Sequence, residues 1–305
     1  MSSAFEGKTI VVVGATGQVA QPIAEALAAN NTVIGAARFH DEGKRSALEA
    51  AGVTCVAIDL ATGDVAGLPE APDYVLNFAV AKSNDWTRDL DAGVGGTIAL
   101  MEHMQRAQAF LHCSSTAVYK PMGHEIFHED SPLGDNHGVW PFLATYSTAK
   151  IAAEAAARYG SRRFSLKTTI ARLSVPYGSF GGWPAIHLEM MKNGSPIPVH
   201  SNQPSIYHPI HDDDIAAMLP GLLRAAEIGA TTVNWGGNDA VSIEQWCGYL
   251  GELTGLSPTF APTEATIDSV QVNLDRLHAL VGETTVSWKD GFRRMVEARR
   301  PELLV

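Results

Sequence analysis

Cysteine is scarce in this 305-residue sequence. Cys55, Cys113 and Cys247 are odd in number and far apart, and no two of them form a CxxC pair. Such a set supports neither a disulfide framework nor a zinc site. The eleven histidines contain no HExxH motif, so we expect no metal. Free thiols are typical of a reducing compartment, and we therefore expect a cytoplasmic protein.

Positive charge is also in short supply. The chain has 22 Lys and Arg residues against 33 Asp and Glu residues, which gives a net charge of −11. Nucleic acids and anionic membranes both require a basic surface on their partner. We therefore expect neither as a partner, although a few local cations can still hold a small anionic ligand.

Long apolar runs are missing as well. No run approaches the ~20 residues of a membrane span. The segment 1–8 has no basic region ahead of an apolar run, so we expect no signal peptide. The hydrophobic content of 46% still suffices for one large or two modest globular domains.

A strand, a glycine turn and a helix follow one another near the amino terminus. Residues 10–13 are apolar without alternation, as in a strand buried on both faces. Gly14, Gly17 and Ala20 follow at GxxGxxA spacing, and apolar residues then recur at intervals of four. This order presents backbone N–H groups and a helix amino end to a phosphate. A turn that needs glycine for steric reasons alone explains the spacing as well.

Strand and helix signals alternate along the first half of the chain. The predicted strands are 32–37, 53–58, 73–79, 110–115 and 165–173, and the predicted helices are 40–51, 97–107 and 146–159. The alternation predicts an α/β fold, a Rossmann-type doubly wound parallel sheet with ligand sites at the carboxyl ends of its strands.

The second half of the chain has a different character. Residues 176–211 hold six of the sixteen prolines and are predicted to be mostly loop, with a short helix over 186–192. Further predicted elements are helices 212–224, 242–254 and 289–299 and a strand at 231–235. We therefore expect an NAD(P)-binding domain over 1–175, to which 212–238 returns. Residues 176–211 and 239–305 would form a smaller, irregular C-terminal substrate lobe.

The end of the second predicted strand indicates the cofactor. An acidic residue there binds the ribose diol of NAD, whereas an arginine accommodates the 2′-phosphate of NADP. This chain has Arg38 and no acid until Asp41, which favours NADP over NAD. A solvated Arg38, or one stacked on the adenine of either cofactor, is the alternative. Asp59, after the third strand, suits either the adenine amino group or a helix cap.

Tyr146 and Lys150 lie one helical turn apart on the same helix face. An ammonium beside a phenol favours phenolate and lowers its pKa from ~10. Such a tyrosine can exchange a proton with a carbinol or carbonyl oxygen. The serines of residues 114–116, at the end of the fifth strand, would lie on the same rim. An ordinary helix also produces a YxxxK spacing by chance.

The expected cofactor-contacting residues are Gly14, Thr16, Gly17, Gln18, Val19, Arg38, Asp59, Leu60, Phe78, Ala79, Tyr146 and Lys150.

Nearly end to end, the sequence resembles the extended short-chain dehydrogenase/reductases, also called the NAD-dependent epimerase/dehydratase family. The similar motifs, in the family's order, are the glycine turn 13–17, the serine strand 114–119, the loop 128–132, the pair Tyr146 and Lys150, and segments 171–178, 210–215 and 233–237. The resemblance implies Ser115, Tyr146 and Lys150 as the catalytic triad, with Lys150 also holding the nicotinamide ribose. It further implies a homodimer formed through the predicted helices 97–107 and 146–159.

Departures from the family concern the substrate. Nucleotide-sugar members usually carry an arginine just before the segment that matches 210–215, and residues 204–209 contain none. The lobe offers aromatic and histidine side chains instead, which suits a less charged, partly apolar substrate, although for most of them a place in the core of the lobe is preferred. They are Trp140, Phe142, Phe180, Trp183, His187, Tyr207 and His208. Three aspartates follow His211. We expect them to lie at the amino end of a helix, where carboxylates are favourable, and not to form a metal site.

The sequence thus predicts an NAD(P)-dependent oxidoreductase. Hydride would pass between the nicotinamide and a carbinol or carbonyl carbon of a small, partly apolar substrate. A nucleotide-sugar epimerase or dehydratase with tightly bound NAD is the alternative. A regulatory module that binds the nucleotide without chemistry is a third interpretation, against which the complete Ser-Tyr-Lys set argues.

Overall fold

A seven-stranded parallel sheet forms the centre of the protein. A computed structural model describes residues 5–305, so the first four residues of the amino-terminal segment lie outside the described part. The strands of the sheet are β1 (Thr9–Val13), β2 (Thr32–Ala37), β3 (Thr54–Ala57), β4 (Tyr74–Asn77), β5 (Ala109–Ser115), β7 (Thr168–Leu173) and β13 (Thr231–Trp235). Their order is β3-β2-β1-β4-β5-β7-β13, and every neighbouring pair is parallel.

The predicted fold class is confirmed, and each predicted strand has its counterpart in the sheet. The chain runs outward from β1 to β3 and then returns to place β4 on the other side of β1. Ligands of doubly wound sheets bind at such a reversal, beyond the carboxyl ends of the strands. Here that point lies after Val13 and Asn77.

Helices cover both faces of the sheet and continue into the second half of the chain. They are α1 (Ala20–Ala28), α2 (Glu42–Ala50), α3 (Trp86–Leu90), α4 (Gly96–His103), α5 (Tyr146–Phe164), α6 (Trp183–Lys192), α7 (Asp212–Arg224), α8 (Ile243–Thr254), α9 (Asp275–Val281) and α10 (Trp288–Arg299). Several bounds differ from the prediction. α4 ends at His103, four residues early, and α6 begins at Trp183, three residues early. α2 begins later because the Asp41 carboxylate caps the Lys44 amide. α5 runs five residues further, to a left-handed Ser165, so β7 begins later. α3 and a π-turn over Asp91–Gly95 were not predicted.

Short strands connect the remaining segments. β8 (Val175–Gly178), β9 (Gly181–Gly182) and β12 (Pro209–His211) form a small sheet, and the pairs are β6 (Ile126–Phe127) with β16 (Gln271–Val272), β10 (Ile197–His200) with β15 (Phe260–Thr263), and β11 (Ile206–Tyr207) with β14 (Val241–Ser242). The centre of this region is aromatic. His187 accepts a hydrogen bond from the Trp246 indole at 2.9 Å, and the Trp183 ring meets the Tyr207 ring at 5.0 Å. These side chains therefore belong to the core of this region, which was the interpretation preferred for most of the aromatic residues in the sequence.

The structure also bears on membrane-spanning helices and on the expected division of the chain into two domains. Among residues 5–305, no helix is long and apolar enough to cross a membrane. β13 belongs to the main sheet, although it comes from the second half of the chain, and it lies against β7. The predicted division into a cofactor domain and a substrate lobe remains a proposal.

Three aspartates stand at the amino end of α7. Asp213 pairs with Arg294. Asp214 accepts hydrogen bonds from the backbone amides of Thr285 at 2.8 Å and Val286 at 3.0 Å. Asp212 is buried against Gly178, and neither of its carboxylate oxygens has a partner. Burial raises the pKa of Asp212 to about 7.

This aspartate makes the stability of the fold depend on pH. The unfolded Asp212 ionises near pH ~4, while the folded one keeps its proton until about pH 7. The folded state binds more protons between these values, so its stability falls as the pH rises through them. Asp212→Asn removes this loss. Relative to wild type, we expect the variant to gain on the order of 2–4 kcal/mol of unfolding free energy on going from pH ~4.5 to pH ~8, measured by urea unfolding.

Asp213→Asn is the matched control, since Asp213 is exposed and its neighbour in sequence. That variant should keep most of the wild-type pH dependence, because burial is the larger cause of the raised Asp212 pKa and the Asp213 charge the smaller. An Asp212→Asn protein whose stability varies with pH as the wild type's does would contradict the assignment.

Candidate active site

The glycine turn lies where the strand order reverses. Gly14 follows β1 with φ +78, and a side chain there would lie 2.9 Å from the backbone N and Cα of Ala79. Glycine is therefore required by both the dihedral angle and the space. The Gly17 amide closes the turn on the Gly14 carbonyl at 2.8 Å, just before α1. Phe78 and Ala79, at the end of β4, face this turn. The cradle fits the backbone approach of a dinucleotide pyrophosphate.

The other residues of the turn have contacts of their own. The Thr16 carbonyl accepts a hydrogen bond from the Lys44 ammonium at 3.0 Å. The Gln18 side-chain amide donates to the carbonyl of Pro176, in β8, at 3.2 Å. Val19 is half-buried and directly precedes α1. The turn is therefore joined both to α2, which carries a cation, and to the strand that leads away from the main sheet.

The expected adenosine side of the site lies beyond β2 and β3. Arg38 is exposed immediately after β2. The Asp59 carboxylate accepts hydrogen bonds from the Ala61 amide at 3.1 Å and from the Arg88 guanidinium at 2.6 Å. The bond from Arg88 lowers the pKa of Asp59. Leu60 is half-buried beside it. Asp59 thus caps a turn, which is close to the capping role given as the alternative to binding adenine. Nothing in the sequence indicated its partner Arg88.

Ser115, Tyr146 and Lys150 converge at the carboxyl ends of β4 and β5. Ser115 is the last residue of β5, and its hydroxyl is close enough to the Tyr146 phenol to lower the pKa of that phenol. Lys150 is buried, one turn into α5 from Tyr146. Its ammonium donates to the carbonyls of Cys113 at 2.8 Å and Ala79 at 3.3 Å. Lys150 therefore joins the ends of two central strands beside the glycine turn.

The expected effect of Lys150 on Tyr146 is wrong in this structure. Burial raises the pKa of Tyr146 to about 12, and the nearby Ser115 hydroxyl offsets only part of the rise. The reason is geometric, since the Lys150 ammonium is directed at backbone carbonyls and its own pKa is lowered by burial. Tyr146 therefore carries its proton at neutral pH.

Asn77 fixes the backbone that Lys150 contacts. Its side-chain oxygen accepts from the Ala79 amide at 3.1 Å, and its side-chain nitrogen lies 3.3 Å from His112 Nδ1. Burial lowers the pKa of His112 to about 3, so this histidine is neutral and Nδ1 can accept. The sequence signal for this contact was a polar residue at the end of a buried strand.

Asp89 was also missed, and it joins the two loops on either side of Tyr146. Its buried carboxylate accepts from the backbone amides of Ser83 at 3.0 Å and Asn84 at 3.1 Å. The Thr145 hydroxyl, next to Tyr146, donates to it at 2.6 Å. Burial opposes ionisation, but these hydrogen bonds outweigh it and lower the pKa of Asp89. The carboxylate thereby fixes the start of α5 against the loop that follows β4.

A buried ion pair lies behind the serine strand. Arg172 donates from Nε and Nη2 to the two carboxylate oxygens of Glu154, each at 2.8 Å. The Ser114 hydroxyl donates to the same carboxylate at 2.7 Å, and Arg158 adds a contact at 3.1 Å. Both partners of the pair are almost fully buried. The two-point geometry aligns α5, which carries Tyr146, with β5 and β7.

The same arginine extends the network to the loops. Arg172 Nη1 donates to the Tyr119 hydroxyl at 3.0 Å and to the Glu129 carbonyl at 2.9 Å. Tyr119 in turn donates to the side-chain oxygen of Asn234 at 2.5 Å. The backbone amide of Asn234 donates to the Glu129 carboxylate at 3.0 Å. Residues of the segments 114–119, 128–132, 171–178 and 233–237, which were recognised separately in the sequence, therefore form one hydrogen-bonded unit.

Known proteins give an independent comparison. The model of the NAD dependent epimerase/dehydratase family matches residues 10–236. No curated protein sequence matches the chain. Among solved structures, UDP-glucuronic acid 4-epimerase from Bacillus cereus, in complex with NAD, has 20% identity and a TM-score of 0.81, with 95% of this chain and 98% of that chain covered.

Two further solved structures are similar. The epimerase Mth375 from Methanothermobacter thermautotrophicus has 21% identity and a TM-score of 0.80, over 97% of this chain and 93% of that one. The dTDP-glucose 4,6-dehydratase from Bacillus anthracis, in complex with NAD, has 16% identity and a TM-score of 0.79, over 96% of each chain. At these identities the likeness concerns the fold.

The buried ion pair generates a prediction about stability. Glu154→Gln leaves the Arg172 guanidinium buried without a countercharge, which costs about 3–5 kcal/mol of unfolding free energy. Chemical denaturation of the purified variant measures this loss. Glu49→Gln, which breaks the exposed pair with Arg45, is the control and should cost less than about 1 kcal/mol. Equal losses in the two variants would contradict a structural role for the buried pair.

Proposed function

We propose, on the premise that the chain belongs to the NAD dependent epimerase/dehydratase family, that it is an NAD(P)-dependent oxidoreductase. The family match agrees with the resemblance of the motifs. Hydride would pass between the nicotinamide and a carbinol or carbonyl carbon of a small, partly apolar substrate. The observation that carries the proposal is the convergence of Ser115, Tyr146 and Lys150 beside the glycine turn.

The chemistry follows from the protonation of these groups. When bound, the nicotinamide supplies or accepts the hydride. Tyr146 is protonated at neutral pH, so it donates its proton to the substrate oxygen as a carbonyl is reduced. Ser115, already close to the phenol, orients that oxygen. Lys150 holds the nicotinamide ribose from its position between Ala79 and Cys113.

Tyr146→Phe tests this assignment. The variant lacks the transferable proton, so kcat for carbonyl reduction should fall by a factor of about 100 or more, measured as NADPH absorbance. The cofactor dissociation constant, measured by fluorescence titration, should change by less than about twofold, since the ring remains. Tyr159→Phe removes the hydroxyl of an exposed tyrosine on the same helix and serves as the control. Full activity of the Tyr146→Phe protein would exclude Tyr146 as the acid.

NADP is our proposal for the cofactor, with NAD as the alternative. Arg38 is free at the end of β2, and the Lys44 ammonium lies on the glycine turn, so two cations lie near the expected 2′-phosphate. The first acid after β2, Asp41, uses its carboxylate to cap α2. The solved epimerase and dehydratase named above were determined with NAD, which supports the alternative.

Arg38→Ala distinguishes the two cofactors. Loss of a charge-assisted contact to the 2′-phosphate should raise KM for NADPH about tenfold and leave KM for NADH within about twofold. Steady-state kinetics with both cofactors measure this. Arg45→Ala, whose guanidinium is paired with Glu49, is the control. An equal rise in both KM values would indicate stacking on adenine and contradict the preference for NADP.

A homodimer is proposed through the predicted helices 97–107 and 146–159, which correspond to α4 and the first part of α5, with the segment 86–95 before α4 adjoining them. Trp86 is 49% exposed, Val94 38% and Tyr159 56%, so apolar side chains are exposed on both helical segments.

Tyr159→Glu tests the dimer. The variant should change the mass measured by light scattering after gel filtration from twice the chain mass to the mass of one chain, because a buried, unpaired carboxylate is costly. Ile228→Glu, on an equally exposed residue outside these helices, should leave the mass unchanged. A wild-type protein of single mass would contradict the dimer.

A nucleotide-sugar epimerase or dehydratase is the second candidate, and the likeness to solved enzymes of these kinds favours it. Its cofactor would be oxidised and reduced again within one cycle. NAD(H) that survives purification, with conversion of UDP-glucose and no net consumption of NADPH, would establish it. Net oxidation of NADPH by a carbonyl substrate would favour the first candidate.

The division of labour along the chain and its location are also proposals. Residues 1–175 with 212–238 would bind the cofactor, and residues 176–211 with 239–305 the substrate. We infer a cytoplasmic location because all three cysteines are free thiols. Recovery of a tagged full chain from the secreted fraction of its host would contradict this location.

A further inference from the structure

Exposed apolar side chains lie on both loops that flank Tyr146. The loop 80–85 follows β4, and the loop 137–145 leads into α5. Val80 is 46% exposed, Val139 50% and Phe142 76%. We call these three residues the apolar rim. Single exposed apolar residues are common on protein surfaces, but a group on two adjoining loops at a candidate catalytic centre suits an apolar ligand.

The two loops are bound to each other and to the start of α5. The Asn84 side-chain amide donates to the Pro141 carbonyl at 3.1 Å. Asp89 accepts from Ser83 on one loop and from Thr145 on the other. These hydrogen bonds hold the rim at a defined position beside Tyr146. A preformed apolar surface binds without the cost of ordering its own backbone.

His137 and Trp140 place aromatic rings beside Tyr146. The His137 ring lies 5.2 Å from the Tyr146 ring and 6.3 Å from the Trp140 ring. Its Nδ1 lies 3.1 Å from the Ser147 hydroxyl. Burial lowers the pKa of His137 to about 4, so the ring is neutral near pH ~7. The histidine ring beside Tyr146 therefore carries no charge at this pH.

Carboxylates stand on the other side of this lining. Asn136, next to His137, accepts from the Asp268 amide at 3.0 Å. The Asp268 carboxylate lies 3.6 Å from His200, and Glu264 lies 3.3 Å from the same imidazole. Asp268 is largely buried and Glu264 largely exposed, so Asp268 supplies most of the repulsion that disfavours a phosphate or a carboxylate on this side.

Basic residues near these groups are few. Between Lys192 and Arg276 the sequence has a single Lys or Arg, Arg224, at the end of α7. Within the two loops, the cation is Lys82, which is exposed. Sites for nucleotide diphosphates depend on such cations or on backbone amides at a helix end. The side chains described here supply apolar surface and carboxylates instead.

We propose that the substrate is an uncharged carbonyl or carbinol compound with an apolar body, aromatic or branched aliphatic, that covers the rim of Val80, Val139 and Phe142. The proposal rests on the hydride transfer proposed above and names its substrate class. The reacting carbon is at Tyr146 and Ser115, and the apolar body lies over the rim. This substrate class differs from that of the second candidate function, the nucleotide-sugar epimerase or dehydratase.

Three aldehydes of matched chemistry test the substrate class with NADPH. They are 4-isopropylbenzaldehyde, which is apolar, 4-carboxybenzaldehyde, which is anionic, and propanal, which lacks the apolar body. We expect kcat/KM for the first to exceed each of the others about tenfold or more, because covering a large apolar side chain strengthens binding by that factor. A preference for the anionic aldehyde, or turnover of UDP-glucose, would overturn the proposal.

Variants of the rim test its role. Phe142→Ser should lower the ratio of kcat/KM for 4-isopropylbenzaldehyde over propanal about tenfold, and Phe142→Leu should restore most of it. Ile228→Ser is the matched control. Ile228 is 56% exposed and lies beside Glu227, which pairs with Thr168 at the opposite, amino edge of the sheet. An unchanged ratio in Phe142→Ser would overturn the rim as the binding surface.

Binding without turnover separates this proposal from the proposed function. Saturation-transfer NMR with the full chain uses 4-isopropylbenzyl alcohol, 4-(hydroxymethyl)benzoate and UDP-glucose as probes. A signal for the apolar alcohol alone, weakened in Phe142→Ser, supports the substrate class even if no aldehyde is reduced, in which case the oxidoreductase assignment fails. A signal from UDP-glucose or the benzoate that equals or exceeds that of the alcohol overturns the substrate class.

Discussion

The ion pair of Glu154 and Arg172 is the constraint on which the candidate active site depends. Two opposite charges are taken out of water at the centre of the protein, which is costly unless each is fully paired. Two bonds of 2.8 Å between the guanidinium and the carboxylate satisfy this requirement. The remaining donor and acceptor positions then reach Ser114 and Tyr119. A helix, two strands and a loop are thus held in one arrangement by electrostatics that tolerate little displacement.

Ala79 is the point where the cofactor side and the catalytic side of the site meet. Gly14 approaches its backbone so closely that no side chain fits between them. Its amide is held by Asn77 and its carbonyl accepts from Lys150. A residue without chemistry of its own therefore couples the position of the glycine turn to that of Lys150, the proposed catalytic lysine. This explains why the sheet must place β4 directly beside β1.

Local patterns in the sequence were sufficient for the sheet and for the shared helix face of Tyr146 and Lys150, whose catalytic role remains a proposal. Unbroken apolar runs predict buried strands, and a spacing of four between Tyr146 and Lys150 predicts a common helix face. Contacts between residues far apart in sequence left no such pattern. Arg88 and Asp59 are 29 residues apart, and Thr145 and Asp89 are 56 apart. The pKa of Tyr146 was misjudged because it depends on where the Lys150 ammonium points, which spacing along a helix does not determine.

One hydrogen bond crosses from the glycine turn to the strand that leaves the main sheet. Gln18 and Pro176 are 158 residues apart, yet the amide of one holds the carbonyl of the other. A cofactor phosphate that accepted a hydrogen bond from the Gln18 amide would leave that carbonyl, near the start of β8, without this donor. Binding of the cofactor and binding of the substrate would then be coupled. Thermodynamic linkage makes the effect mutual, so whatever factor the cofactor exerts on the affinity for substrate, the substrate exerts on the affinity for cofactor.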